Sequence, residues 1–137
     1  MLFVCVHNSA RSQMAAAFLK QIAGDRFEVE SAGLEPGKLN PLAVAAMWDA
    51  GIDISDRSTT SVFDLLKVGR RFDHVISVCD PASAERYPSF PGASTRLSWN
   101  FADPATFTGS DAERIVKTIE VRDQIRDAVK RWADGVR

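Results

Sequence analysis

Residues 2–15 of the chain have the sequence LFVCVHNSARSQMA, and the character of this stretch changes midway. Residues 2–6 are mostly apolar and β-branched or aromatic, which predicts a strand buried on both faces. Residues 12–23 are rich in Ala, Met, Phe and Leu and stop before Gly24, which predicts a helix. A buried strand that leads directly into a helix is typical of a parallel α/β sheet.

The remainder of the chain continues this alternation. The patterns predict further strands at residues 27–31, 74–78 and 95–99, and further helices after Asn40-Pro41 up to Gly51, over 61–68, and from a capping box at Ser110 to about Ala133. Right-handed crossovers then give one α/β domain over residues 1–137, a parallel sheet with helices on both faces. Two long irregular stretches, 80–94 and 100–109, have lengths that are more often functional than accidental.

Composition excludes several classes of protein. The 137 residues are 45% hydrophobic and 26% charged, and 17 basic residues nearly balance 18 acidic ones. That balance argues against a nucleic-acid-binding protein with a broad basic surface, and no apolar run approaches the ~18 residues of a membrane span. The short apolar start lacks a basic lead, so we expect no secretory signal. With two cysteines, the sequence predicts a cytoplasmic protein in which any disulfide is transient and functional.

The side chains suited to chemistry are concentrated where the first strand meets the first helix. In open α/β sheets ligands bind at the carboxyl ends of the strands, where backbone N–H groups and the helix dipole attract anions. Arg11 adds a planar, permanently charged fork for a tetrahedral oxyanion. The oxyanion-binding residues predicted here are Val6, His7, Asn8, Ser9, Ala10, Arg11 and Ser12.

Cys5 lies in the same electrostatic field, which predicts a nucleophile beneath a bound oxyanion. Comparable settings lower a cysteine pKa from ~8.5 to roughly 3.5–7.5, so we expect a thiolate. Ser12 could donate a hydrogen bond to that thiolate, and Asn8 could adopt the left-handed backbone of a tight loop. The alternative is structural: Cys5 as a small buried hydrophobe, Arg11 as a solvated residue and Ser12 as a helix cap. Neither G-x-G-x-x-G nor G-x-x-x-x-G-K-[ST] occurs, which argues against nucleotide binding.

Residues 3–15 resemble the phosphate loop of the low-molecular-weight protein tyrosine phosphatase superfamily. The Arg-Ser-Gln-Met-Ala run at 11–15 points within it to arsenate reductases of the thioredoxin-coupled type. The resemblance continues through 31–33, 77–80 and 99–104, and so spans essentially the whole chain. It implies a four-stranded parallel sheet of order 2-1-3-4, an arsenate or phosphate oxyanion as ligand, and no tightly bound cofactor.

The resemblance also implies roles for two further residues. Asp103, which precedes Pro104, matches the general acid that protonates the departing oxygen, although Asp-Pro is also an ordinary turn signal. Cys79 follows the third strand as Cys5 follows the first. In a 2-1-3-4 sheet these strands are neighbours ~4.8 Å apart, so a small loop movement could bring Cys79 onto Cys5. The alternative for Cys79 is a second structural thiol.

These residues together predict an arsenate reductase in which Cys5 attacks arsenate and Cys79 then forms a disulfide with it. The electrons come from an external thiol reductant: thioredoxin, glutaredoxin or a low-molecular-weight thiol. One alternative is a phosphatase that hydrolyses phosphomonoesters with Cys5, Arg11 and Asp103 and leaves Cys79 idle. A second is a non-catalytic oxyanion-binding or redox-sensing module.

Several positions depart from the patterns of the relatives. Tyr87 stands where related reductases have a third cysteine, and Ala16 where some have a glutamate that helps bind potassium. The phosphatase branch usually has cysteine and tyrosine where this chain has Ala10 and Ala105, which weighs against a dedicated tyrosine phosphatase. His7 and His74 do not make a metal-ligand pattern with Cys5 and Cys79, so we expect no metal.

Overall fold

The computed structural model describes residues 1–79, 90, 92–93 and 95–136. In the described residues the order is strand, helix, strand, two helices, two strands, and then two helical segments. The strands are β1 (Leu2–Cys5), β2 (Glu30–Gly33), β3 (His74–Ser77) and β4 (Thr95–Ser98). The helices are α1 (Arg11–Ala23), α2 (Pro41–Asp49), α3 (Val62–Lys67) and α4 (Asp111–Gly135), with a short 3-10 helix at Pro104–Thr106.

The sheet has the order β2-β1-β3-β4, and every neighbouring pair is parallel. This confirms the expected four-stranded sheet. β1 lies inside the sheet, with Cys5 opposite Gly33 on one side and Val4 opposite Ser77 on the other. Its residues are almost fully buried, as a continuously apolar strand predicts.

The predicted position of the second strand, residues 27–31, is wrong by about three residues. The ladder with β1 begins at the pair Leu2–Glu30 and ends at Cys5–Gly33. Phe27 lies before the ladder, and its ring packs against Trp132 of α4 with centroids 5.2 Å apart. Phe27 is therefore apolar because it packs on a helix and not because it belongs to the strand. The strand begins at Glu30, where pairing with β1 begins. The other predicted ends differ by one or two residues, which is ordinary at element boundaries.

Capping residues fix the helices that surround the sheet. The Asn40 side chain accepts a hydrogen bond from Leu42 N at the start of α2, ahead of Pro41. Ser110 and Glu113 form the predicted capping box of α4. α1 packs on β1 and β2, and α4 packs on α1 and α2. The loop that follows Cys5 therefore runs from β1 to α1, and the N-cap residue of α2, Asn40, contacts it.

A buried arginine locks α2 to α4. Arg122 is 6% exposed, and its Nη1 donates to the Ala46 carbonyl at 2.7 Å and to Asp49 Oδ2 at 2.9 Å. The positive charge of Arg122 also interacts favourably with the negative C-terminal end of the α2 dipole. The contact fixes α2, whose N-cap residue Asn40 contacts the loop after Cys5.

Gly33, at the end of β2, lies directly under that loop. A Cβ built there would lie 2.7 Å from the Val6 carbonyl oxygen and 2.8 Å from Asn8 N. Both are backbone atoms, so they cannot move aside without displacing the loop. Only glycine lets β2 and the loop approach this closely.

We predict that Gly33→Ala destabilises the protein by about 1–3 kcal/mol and weakens phosphate binding, because the methyl group displaces the loop. Urea unfolding and the phosphate-dependent shift of the melting temperature measure the two effects. Gly135→Ala is the matched control, since a Cβ there meets nothing within 4 Å. Unchanged unfolding and phosphate binding in Gly33→Ala would contradict this view of the loop.

Candidate active site

The carbonyl groups of residues 5–9 all have hydrogen-bond donors outside the loop. The segment after β2 supplies Leu34 N to Cys5 O at 3.3 Å, Glu35 N to Val6 O at 2.8 Å, Gly37 N to His7 O at 3.0 Å and Asn40 N to Ser9 O at 2.9 Å. The Gln13 side chain donates to Asn8 O at 3.1 Å. In a trans peptide the N–H of the next residue points opposite to the carbonyl. The N–H groups of residues 6–10 are therefore turned away from these donors, as an anion-binding loop requires.

Asn8 makes the sharp bend in the loop. Its φ is 54°, the left-handed region that we expected it to occupy, and it is fully buried. The side-chain amide donates to Ser12 Oγ at 2.8 Å, while its oxygen accepts from Thr60 N at 2.9 Å. Asparagine tolerates this backbone better than most residues, and these bonds hold it there.

The expected hydrogen bond from Ser12 to Cys5 is not among the contacts of the described residues. Ser12 lies in the first turn of α1, fully buried, and its hydroxyl oxygen accepts from the Asn8 amide. The hydroxyl is thus turned to the bend of the loop, where it supports Asn8.

Gln13 is a residue of the site that sequence reasoning missed. It is 1% exposed, and Nε2 donates to the Asn8 carbonyl and to Ser58 O, each at 3.1 Å. It therefore ties the segment at 58–60 to the bend of the loop. A polar side chain directly before the buried apolar run at 14–19 was the available signal, because buried amides need partners. A cavity of about 640 Å³ lies beside Gln13, Ser58 and Thr60, and neither Cys5 nor Arg11 lines it.

Arg11 opens α1 and is almost buried. It is 6% exposed; Nη1 donates to the Phe101 carbonyl at 3.2 Å, and Nη2 lies 3.4 Å from Asp103 Oδ2. Its Nε is buried with no hydrogen-bond partner among the described residues. The first turn of α1 also has neither a side-chain cap nor an acidic residue. An unpartnered guanidinium N–H beside an uncapped helix N-terminus is an arrangement that a bound oxyanion would satisfy.

Asp103 joins the site through Arg11. Its Oδ1 accepts from Ala105 N at 3.0 Å as the N-cap of the 3-10 helix, and Oδ2 faces the Arg11 guanidinium. The side chain is 29% exposed, so the carboxyl group is in contact with solvent. The structure thus brings this predicted site residue to Arg11 across 92 positions of sequence.

The two cysteines meet at the ends of β1 and β3. Both are free thiols, with Cys5 3% and Cys79 0% exposed, and the two side chains interact. Val78 N donates to the Val4 carbonyl at 2.9 Å, which extends the contact between the strands beyond their ladder. The structure thus places the two side chains within range of interaction at the ends of neighbouring strands, as the strand order predicts.

The thiol pair overturns the expectation of a low Cys5 pKa. The hydrogen bond with Cys79 and burial raise the pKa of Cys5 well above its usual value. The Arg11 charge and the hydrogen bond from Val6 N–H lower it, but their effect is smaller. The low pKa was expected from the groups that stabilise a negative charge on Cys5. A second buried thiol beside Cys5, which raises the pKa, cannot be recognised from the local sequence.

The two histidines do not join the cysteines. His7 is exposed, and its Nδ1 lies 2.9 Å from the Glu35 carbonyl oxygen. The His74 ring packs edge-on against Trp132, with centroids 5.1 Å apart. The described ranges contain no group of three or more His, Cys, Asp or Glu residues able to hold a metal ion. Ala16 is fully buried in α1, and Tyr87 lies outside the described residues.

The whole chain, residues 1–137, matches the family of low molecular weight phosphotyrosine protein phosphatases. The protein therefore belongs to this family, as its phosphate loop and strand order indicate. Within the described residues, no helix is long and apolar enough to span a membrane.

Within the family the chain is similar to arsenate reductases of the bacillus type. It is 42% identical over 133 residues to the arsenate reductase of Shouchella clausii and 40% identical over 132 residues to that of Bacillus subtilis, covering 96% of this chain and 93% of each relative. A solved arsenate reductase in the phosphate binding state is 29% identical with a TM-score of 0.79, covering 99% of this chain and 97% of the other. The thioredoxin-dependent arsenate reductase of Corynebacterium glutamicum is 28% identical with a TM-score of 0.61, covering 94% of this chain and 60% of the other.

We predict that Cys79→Ala lowers the pKa of Cys5, because it removes the hydrogen bond that raises this pKa most. The rate of Cys5 alkylation by iodoacetamide, followed by peptide mass spectrometry across pH, should then rise at lower pH than in the wild type. Cys79→Ser, which keeps a hydrogen-bonding group, is the matched comparison and should shift less. An alkylation profile of Cys79→Ala that coincides with the wild type would refute the coupling.

Proposed function

We propose that the protein is an arsenate reductase in which Cys5 attacks arsenate and Cys79 completes the reduction. The observation that carries the proposal is the pair of interacting, buried thiols at the foot of the loop after Cys5. The similarity to arsenate reductases over 96% of the chain supports it.

Arsenate binds in this proposal where phosphate would bind. Both are tetrahedral oxyanions, and the N–H groups of residues 6–10, the start of α1 and the Arg11 guanidinium form a cradle for their oxygens. The Nε of Arg11 gains the partner that it lacks among the described residues. The Arg11 fork is already held by Phe101 and Asp103, so little side-chain entropy is lost on binding.

In the first step the Cys5 sulfur forms a bond to arsenic, and an oxygen of arsenate leaves as water. Cys5 has to lose its proton before it attacks, so turnover should increase with pH while Cys5 titrates. Asp103 supplies a proton to the departing oxygen. The N-cap bond to Ala105 and the contact with Arg11 orient the carboxyl group for this role.

In the second step the Cys79 sulfur attacks the Cys5 sulfur. The sulfur–arsenic bond breaks, and its electron pair stays on arsenic, which passes from the pentavalent to the trivalent state and leaves as arsenite. The two sulfurs lose two electrons and form the Cys5–Cys79 disulfide, and the proton of the Cys79 thiol passes to an oxygen of the departing arsenite. The two side chains already interact in the reduced protein, so this step needs little rearrangement.

An external thiol reductant then restores both thiols. The chain has two cysteines in total, so two thiols of a donor must form a disulfide in exchange for that of Cys5 and Cys79. The donor class stays as the sequence predicts: thioredoxin, glutaredoxin or a small thiol. Such donors are maintained in the cytoplasm, where we propose that the protein acts.

Phosphomonoester hydrolysis is the second candidate function. The cradle, Cys5, Arg11 and Asp103 would serve it equally, and the family match supports it. A phosphatase has no use for a second thiol, and a partner that raises the pKa of its nucleophile would slow it. Residual phosphatase activity is therefore compatible with the site, but the contact between the thiols favours reduction.

We predict that Cys79→Ser lowers arsenite production by roughly 100-fold or more, because a hydroxyl cannot form the disulfide. Arsenate is supplied in separate assays with thioredoxin, with glutaredoxin and with a small thiol. Arsenite release is followed over time for both proteins. Phosphate-dependent stabilisation of the variant shows that its cradle is intact. If arsenite production survives the substitution unaltered, the role of Cys79 is wrong.

A further inference from the structure

The reduced thiol pair has the features of a chelating site. Cys5 ends β1, Cys79 lies two residues beyond the end of the neighbouring strand β3, and the Val78–Val4 hydrogen bond holds these strand ends together. The two side chains interact and are shielded from solvent. The sheet thus holds the two thiols side by side, as an atom that binds both sulfurs requires.

Two neighbouring thiols are suited to a soft, thiophilic atom. Trivalent arsenic is such an atom, and in arsenite it carries hydroxyl groups that exchange for sulfur. We propose that the reduced protein binds arsenite through both the Cys5 and the Cys79 sulfurs. Two As–O bonds break and two As–S bonds form, and the two thiol protons leave with the hydroxyl groups as two water molecules. No electrons are transferred, so the step needs neither oxidant nor reductant.

The surroundings of the thiols suit the remaining oxygen of arsenite. The Val6 N–H stabilises the charged form of Cys5, and the N–H groups of residues 7–10 point away from the donors that hold the preceding carbonyls. The third oxygen of arsenite can therefore accept a hydrogen bond where an oxygen of arsenate would be held. Two attachments to a pre-organised pair bind more tightly than one, because the second is intramolecular.

Bound arsenite would compete with arsenate for Cys5. If the protein reduces arsenate, its own product then slows it when arsenite accumulates. This regulatory consequence depends on the proposed function, whereas the binding itself requires only the two thiols.

Native mass spectrometry of the reduced protein titrated with sodium arsenite tests the proposal. We expect one arsenic per wild-type chain, retained in excess 2-mercaptoethanol and released by 2,3-dimercaptopropanol. Cys79→Ser and Cys5→Ser each retain one sulfur and should bind arsenite roughly 100-fold more weakly. Stabilisation of Cys79→Ser by inorganic phosphate verifies that this variant is folded and that its cradle is intact.

Equal arsenite affinity in Cys79→Ser and the wild type, with the variant folded, would overturn the proposal, as would absence of binding to the wild type. Turnover of arsenate without arsenite binding removes this inference and leaves the reductase function in place. Arsenite binding without turnover supports this inference and removes the reductase function.

Discussion

The proposed oxyanion site depends on the hydrogen bonds that the carbonyls of residues 5–9 accept. The segment that follows β2 and the buried Gln13 amide fix the direction of each carbonyl, and thereby the opposite direction of each following N–H. Buried bonds of this kind contribute about 0.5–1.5 kcal/mol each, and they hold Asn8 in a backbone conformation that few residues adopt. The loop is thus formed before any ligand arrives, and Gly33 provides the space beneath it.

The second constraint is the contact between two buried thiols. A lone cysteine beneath such a loop would be expected to ionise readily, whereas Cys79 and burial keep the Cys5 pKa high despite Arg11. In the proposed reduction the two sulfurs together supply the two electrons that arsenic gains. A hydrolase on the same loop would need only the first sulfur.

Much of this arrangement could be predicted from local sequence. The buried strand before Cys5, the caps at Asn40 and Ser110 and the bend at Asn8 follow from propensities that act over a few residues. The start of β2 could not be predicted, because the partner strand sets the register of β2. Phe27 fits the alternating pattern of a strand but is apolar because it packs on Trp132. The role of Gln13 and the high Cys5 pKa also depend on residues distant in sequence, at 58–60 and 79, which the sheet and helices bring together.

We infer that the loop at 6–12 and Arg11 hold a tetrahedral oxyanion directly above the Cys5 sulfur. Anomalous diffraction at the arsenic edge, from crystals of the Cys5→Ser variant soaked in arsenate, locates the ligand without turnover. We predict one arsenic site over position 5, with its oxygens on the loop N–H groups and on Arg11 Nε. Arsenic bound elsewhere, or bound there without contact to Arg11, would show that this oxyanion site is wrong.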